Sequence, residues 1–67
     1  MKALGKRIKE LRKAQGFSQE DLSYEADIPL SQAGRIERGE INPTVSTLGA
    51  IASALNTDLK ELFNFKY

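Results

Sequence analysis

An all-α domain of five short helices is predicted by three observations. Apolar residues recur at three- and four-residue spacing in every segment. Residues that stop helices (Gly16, Asp27-Ile28-Pro29, Gly39 and Asn56) punctuate those segments at short intervals. No segment alternates apolar and polar residues with the period of two that marks a half-buried strand.

The first helix is expected over about residues 2–15, where Leu4, Ile8 and Leu11 share one face and Gly16 supplies a left-handed stop. Ser18 then reads as an N-cap, with Asp21 three residues on in a capping-box variant. The second helix is expected over about 19–26, with Phe17, Leu22 and Ala26 facing inward. Asp27-Ile28-Pro29 ends it, because the proline ring disfavours a helical residue before it. Pro29 also suits the first turn of a third helix, expected over about 30–38 and stopped by Gly39. Glu40 to Pro43 form a loop and Thr44 caps a fourth helix, whose apolar stripe is Val45, Leu48, Ile51, Ala52 and Leu55. Asn56 tolerates the left-handed conformation there, and Asp58 with Glu61 forms another capping-box-like pair. A short fifth helix places Leu59, Leu62 and Phe63 inward. No repeat, low-complexity stretch or linker divides the chain, so 1–67 reads as one domain.

Composition narrows the function. The chain has 67 residues, too few for a sizeable catalytic pocket beside a core. It has no Cys and no His, which removes thiolate chemistry, the commonest general base and the usual metal ligands. An enzyme, a metal site and a bound cofactor or small ligand are therefore not expected. No apolar run is long enough to span a membrane, and the basic N-terminus lacks the apolar stretch of a secretory signal. The expected compartment is the cytoplasm. Net charge is only +1, but it is unevenly spread. Lys2, Lys6, Arg7, Lys9, Arg12 and Lys13 face only Glu10 within the first 13 residues, whereas Glu20, Asp21, Glu25 and Asp27 meet no base between 14 and 34. Such a split gives an oriented field, although a solvated first helix produces the same pattern.

Residues 19–38 hold two short helices joined by a tight turn, the layout of a helix-turn-helix unit, which presents its second helix to the DNA major groove. At about 100° per residue from Leu30, the apolar anchors Ala33 and Ile36 fall near 300° and 240°. Ser31, Arg38 and Arg35 then cluster near 100°, 80° and 140°, opposite the anchors, with Gly34 near 40°. Leu30 and Gln32 flank this short, polar, positive face. Arg35 has the fork that pairs with guanine, Gln32 can read adenine or bond phosphate, and Leu30 can pack on a thymine methyl. Gly34 costs about 1 kcal/mol of helix stability relative to Ala, a cost that close approach to DNA would explain. The N-terminal end of the second helix, with Ser18 and Gln19, offers a phosphate site against which Glu20 and Asp21 compete.

The runs Ile8-Lys9-Glu10-Leu11-Arg12-Lys13 and Gly16-Phe17-Ser18-Gln19-Glu20-Asp21-Leu22 resemble the opening of the phage-repressor/Cro-like helix-turn-helix family, also called the Xre family. Arg35-Ile36-Glu37-Arg38-Gly39-Glu40-Ile41-Asn42-Pro43-Thr44 resembles its most recognisable segment. Leu48 to Leu55 and Leu59-Lys60-Glu61-Leu62-Phe63 resemble its last two helices, so the resemblance spans about residues 4–63. It implies a compact five-helix repressor-like fold and a sequence-specific transcriptional regulator of double-stranded DNA, acting as a homodimer on a pseudo-palindrome. It implies base reading by Leu30, Ser31, Gln32, Gly34 and Arg35. Backbone contacts are implied for Ser18, Gln19, Arg38, Asn42 and Thr44, and a structural ion pair for Arg12 and Glu37. Asp27 stands where the family often has Gly, and Glu40 is acidic close to the implied backbone contacts.

The small free-standing members that the chain resembles include Cro-like repressors, restriction–modification controller proteins and antitoxin-like autoregulators. These imply a prokaryotic or phage-type cytoplasmic protein held at the nucleoid through DNA, with no ligand-sensing or self-cleaving domain after the fifth helix. Leu59, Phe63, Phe65 and Tyr67 are the candidate dimer surface. Among them Phe63 is expected in the core, and Phe65 and Tyr67 are the better interface candidates unless the tail frays. The alternative reading is an antitoxin- or adaptor-like protein-interaction module on the same fold.

Overall fold

The computed structural model describes residues 2–65. Five helices follow one another: α1 (Lys2–Ala14), α2 (Gln19–Ala26), α3 (Leu30–Glu37), α4 (Val45–Ala54) and α5 (Leu59–Leu62). No strand occurs among the described residues, and each helix boundary lies within one residue of the sequence reading.

The agreement has a local cause. The first four helices all end in the same way, with a residue in the left-handed region: Gly16, Asp27, Gly39 and Asn56, at φ between 55° and 75°. Each supports the paired bonds of a Schellman motif, as when Phe17 N–H donates to Arg12 O and Gly16 N–H donates to Lys13 O. The starts are equally local. Ser18 Oγ accepts from the Asp21 amide and Asp21 Oδ2 accepts from the Ser18 amide, completing the capping box. Thr44 and Asp58 accept from the Thr47 and Glu61 amides. The predicted second half of a box at Asp58 is absent. The Glu61 carboxylate instead accepts from Arg7 Nη2 at 3.0 Å, and Arg7 Nε donates to the Glu61 carbonyl at 2.9 Å. A charged partner from α1 outcompetes a backbone amide for that carboxylate.

The main helix contacts form a closed ring, α1 to α3 to α2 to α4 to α5 and back to α1. Inside it lie Leu4 and Ile8 from α1, Leu22 and Ala26 from α2, and Ile36 from α3. Leu48, Ile51, Ala52, the α4 cap Leu55 and Leu62 of α5 complete this core, and Ala33 is also buried. Three predicted inward residues are exposed. Val45, at the first position of α4, is 74% exposed, because a helical side chain leans toward the N-terminus and this one projects beyond the helix end. Phe63 is 46% exposed, because α5 is a single turn whose core position Leu62 takes, leaving Phe63 as its C-cap. Leu59 is the third, 37% exposed at the first position of α5.

Where α1 crosses the end of α3, the two backbones nearly touch. A Cβ on Gly5 would lie 2.4 Å from the Ile36 carbonyl oxygen and 2.5 Å from that of Glu37. Gly39, just beyond α3, has φ 74°, and a Cβ there would lie 2.8 Å from Lys2 Cα. Two glycines thus let α1 grip the last turn of α3, leaving its N-terminal turn free on the outside.

Candidate nucleic-acid interface

The anchoring of α3 begins with a buried charge pair. Arg12 Nε donates to Glu37 Oε2 at 2.6 Å and Arg12 Nη2 donates to Glu37 Oε1 at 3.0 Å. The two side chains are only 8% and 3% exposed. Burial of this kind is tolerated only when the remaining donors and acceptors are satisfied. Here the third guanidinium nitrogen, Nη1, donates to Phe17 O at 2.8 Å, and Gln19 Nε2 donates to Glu37 Oε1 at 3.1 Å. No buried side-chain nitrogen or oxygen among the described residues lacks a partner. The network ties α1, the α1–α2 turn, the start of α2 and the end of α3 into one unit.

The same network aims Gln19. With its Nε2 held by Glu37, its Oε1 sits 3.6 Å from the point a Cβ on Gly34 would occupy. That point is also 3.0 Å from Arg38 Nη1. Gln19, Gly34 and Arg38 therefore meet where α2 begins against the outer side of α3. This departs from the angular reading of Gly34 as an open base-facing position. Gly34 is buried, because Arg38, one turn on, folds back over the notch left by the missing side chain.

The rest of the predicted face is largely open. Leu30, Ser31 and Arg35 are exposed and Gln32 is half-buried. The Arg35 side chain makes no hydrogen bond or ion pair among the described residues, so its planar fork is open to solvent. Of the predicted backbone contacts, Ser18, Arg38, Asn42 and Thr44 are exposed and Gln19 is half-buried. The Ser18 and Thr44 hydroxyls are already occupied in capping, Thr44 also bonding Thr47 Oγ1. What these caps present outward is chiefly the first amides of α2 and α4, with the helix dipole behind them. Arg38 is paired to Glu40, Nε to Oε2 at 2.6 Å. That hydrogen bond holds the Glu40 carboxyl below its usual pKa, and the nearby charges of Arg38 and Arg35 add to the effect.

The candidate dimer surface is partly visible. Leu59 and Phe63 are exposed, Phe65 is half-buried against the core, and the Phe63 and Phe65 rings lie 6.3 Å apart at a 36° tilt. Tyr67 lies outside the described residues. The Arg7–Glu61 bridge, which fixes α5 to α1 beneath this surface, was not foreseen from sequence. Its partners are 54 residues apart, and no local pattern links them.

No described helix is long and apolar enough to cross a membrane. Among the described residues no group of His, Cys, Asp and Glu is placed to hold a metal ion.

Comparison with known proteins matches this architecture closely. The restriction–modification controller protein C.AhdI of Aeromonas hydrophila superposes with a TM-score of 0.91 at 37% identity, covering 92% of this chain and 94% of that one. SinR, a master regulator for biofilm formation solved in complex with DNA, superposes with a TM-score of 0.86 at 31% identity, covering 91% and 98%. The immunity repressor of Bacillus phage phi105 is 37% identical over 59 residues, 88% of this chain and 41% of the repressor. The chain spans about two fifths of the length of the first curated relatives it matches. Residues 8–62 match the model of a helix-turn-helix family, and with the five-helix ring and the exposed α3 described above, the chain belongs to that family.

Proposed function

We propose that this chain is a sequence-specific, double-stranded-DNA-binding transcriptional regulator that acts as a homodimer. The observation that carries the reading is Arg35, an unengaged guanidinium on the outer face of a helix otherwise locked in place by a buried ion pair. A rigid helix with one free fork suits base reading, because the fork's position is fixed before DNA arrives. In this reading α3 enters the major groove. Leu30, Ser31, Gln32 and Arg35 meet base edges, and Gly34 contributes by letting Arg38 fold flat against α3. Ser18, Gln19, Arg38, Asn42 and Thr44 hold phosphates through side chains and helix-end amides. Residues 1–67 act as one DNA-binding domain, and Leu59, Phe63, Phe65 and Tyr67 join two copies. Two recognition helices about 34 Å apart then read an inverted repeat. The likeness to C.AhdI and to a DNA-bound SinR supports both the mode of binding and the regulatory role.

One observation favours the second reading, a protein-interaction module. Tyr24 is 83% exposed on α2, beside the acids Glu20, Asp21 and Glu25. Selection of duplexes from a random pool separates the two. An enriched inverted repeat with half-sites one turn apart supports the dimeric regulator. No enrichment, from protein with the circular dichroism of a folded helical domain, favours the interaction module. A finer check falls on Arg35→Ala, which is expected to cost about 1–3 kcal/mol of operator affinity and to relax preference at one base position. Equal loss on every duplex would reassign Arg35 to a phosphate.

A further inference from the structure

Glu40 lies on the loop just past α3, and both of its carboxylate oxygens are taken up by Arg38. Nε donates to Oε2 at 2.6 Å and Nη2 donates to Oε1 at 3.4 Å. Nε and Nη2 form one edge of the guanidinium, an edge with which arginine grips a carboxylate or a phosphate in bidentate fashion. The remaining nitrogen, Nη1, is turned toward the Gly34 notch beside Gln19. The side chains of Arg38 and Glu40 are 59% and 50% exposed, so water competes for the pair and either partner can leave it cheaply. Arg35 acts electrostatically on the same carboxylate. Glu40 is thus paired with Arg38 and also feels the charge of Arg35.

We propose that Glu40 is an internal stand-in for a DNA phosphate, occupying the Arg38 fork in the free protein and giving it up when Arg38 takes the backbone. The inference rests on the reading of Arg38 as a phosphate contact given above. Binding then exchanges one anion for another at Arg38, and the gain from that contact is reduced on every duplex alike, because phosphates carry no sequence information. Glu40 lowers total affinity while leaving base preference intact. A regulator so tuned spends less of its time on unrelated DNA.

Four proteins test this: the unaltered chain, Glu40→Gln, Arg38→Ala and the double variant. Each is titrated by fluorescence anisotropy against a mixed-sequence duplex of about three helical turns at about 50 mM salt, where backbone contacts dominate. Glu40→Gln is expected to tighten binding about two- to fivefold per bound protomer, the scale of an exposed ion pair, with little change in Tm. The gain is expected to vanish in the Arg38→Ala background. Weaker or unchanged binding by Glu40→Gln overturns the proposal, weaker binding showing that Glu40 braces Arg38 for DNA. An equal gain with and without Arg38 also overturns it, since Glu40 would then act by direct repulsion of phosphates. If Arg38→Ala alone leaves binding unchanged, the phosphate reading of Arg38 falls, and the proposal with it.

Discussion

Glu37→Ala is expected to leave a large part of the chain unfolded near 37 °C. The substitution removes the carboxylate that satisfies Arg12 Nε and Nη2 and strands a guanidinium in a site only 8% exposed. Removing one partner of a buried pair costs about 3–5 kcal/mol, because the surviving charge has neither water nor a counter-ion. A core of this size supplies no more than about 3–5 kcal/mol in total, so the loss is comparable to the whole stability. Thermal melting followed by far-UV circular dichroism is expected to show Tm lower by at least about 12 °C. Arg12→Met combined with Glu37→Leu separates the charge effect from the loss of contacts. With no unpaired charge the double variant should recover most of the stability. The shortfall falls on Phe17 O and Gln19 Nε2, which lose the partners they have now. A Tm for Glu37→Ala within about 4 °C of the unaltered chain would mean that the pair does not hold α3.

That pair also shows which parts of the molecule were legible in the sequence. Helix starts and stops were legible because their causes are local. Ser18, Thr44 and Asp58 cap from within one turn, and Gly16, Asp27, Gly39 and Asn56 need only their own φ. The pairing of Arg12 with Glu37 came from family resemblance. Its spacing of 25 residues carries no signal of its own. Burial at element ends was harder to read. Val45 and Phe63 fit apolar stripes, but a stripe does not say whether a neighbour reaches its end residues. Arg7 reads as part of a solvated basic helix and Glu61 as the partner of Asp58 in a capping box, and only the ring closure of α5 onto α1 brings the two together.

The candidate interface divides along the same line. The periodicity of α3 was enough to put Ser31 and Arg35 outside and Ala33 and Ile36 inside. It did not show that Gly34 is covered, because the cover is Arg38, a flexible side chain that folds back where Gly34 leaves room for it. Nor did it show that Gln19 is held by Glu37, a bond between two helices. Helical angle ranks positions on an isolated helix, whereas the neighbours decide which of those positions remain open.

Gly5→Ala carries the second large effect, and its sign is the informative part. By helix propensity alone, Ala in place of Gly inside α1 stabilises by about 1 kcal/mol. Gly49, inside α4, is the matched control, because a Cβ there meets nothing within 4 Å, and Gly49→Ala is expected to raise Tm by about 4–8 °C. At Gly5 the new methyl would fall 2.4 and 2.5 Å from two backbone carbonyl oxygens of α3. Backbone atoms cannot rotate aside as a side chain can, so α1 and α3 must separate. Overpacking of this kind costs about 1–3 kcal/mol or more, which outweighs the propensity gain. Tm is expected to fall, and operator affinity to fall beyond what the unfolded fraction explains. Separation moves the last turn of α3, and with it Arg35 and Arg38, whereas a binding constellation has to be held to within about 0.5 Å. If Gly5→Ala raised Tm as Gly49→Ala does, the two backbones would have room to spare. The placement of α3 would then rest on the Arg12–Glu37 pair and on Ile36 in the core, with no part played by the close approach of α1.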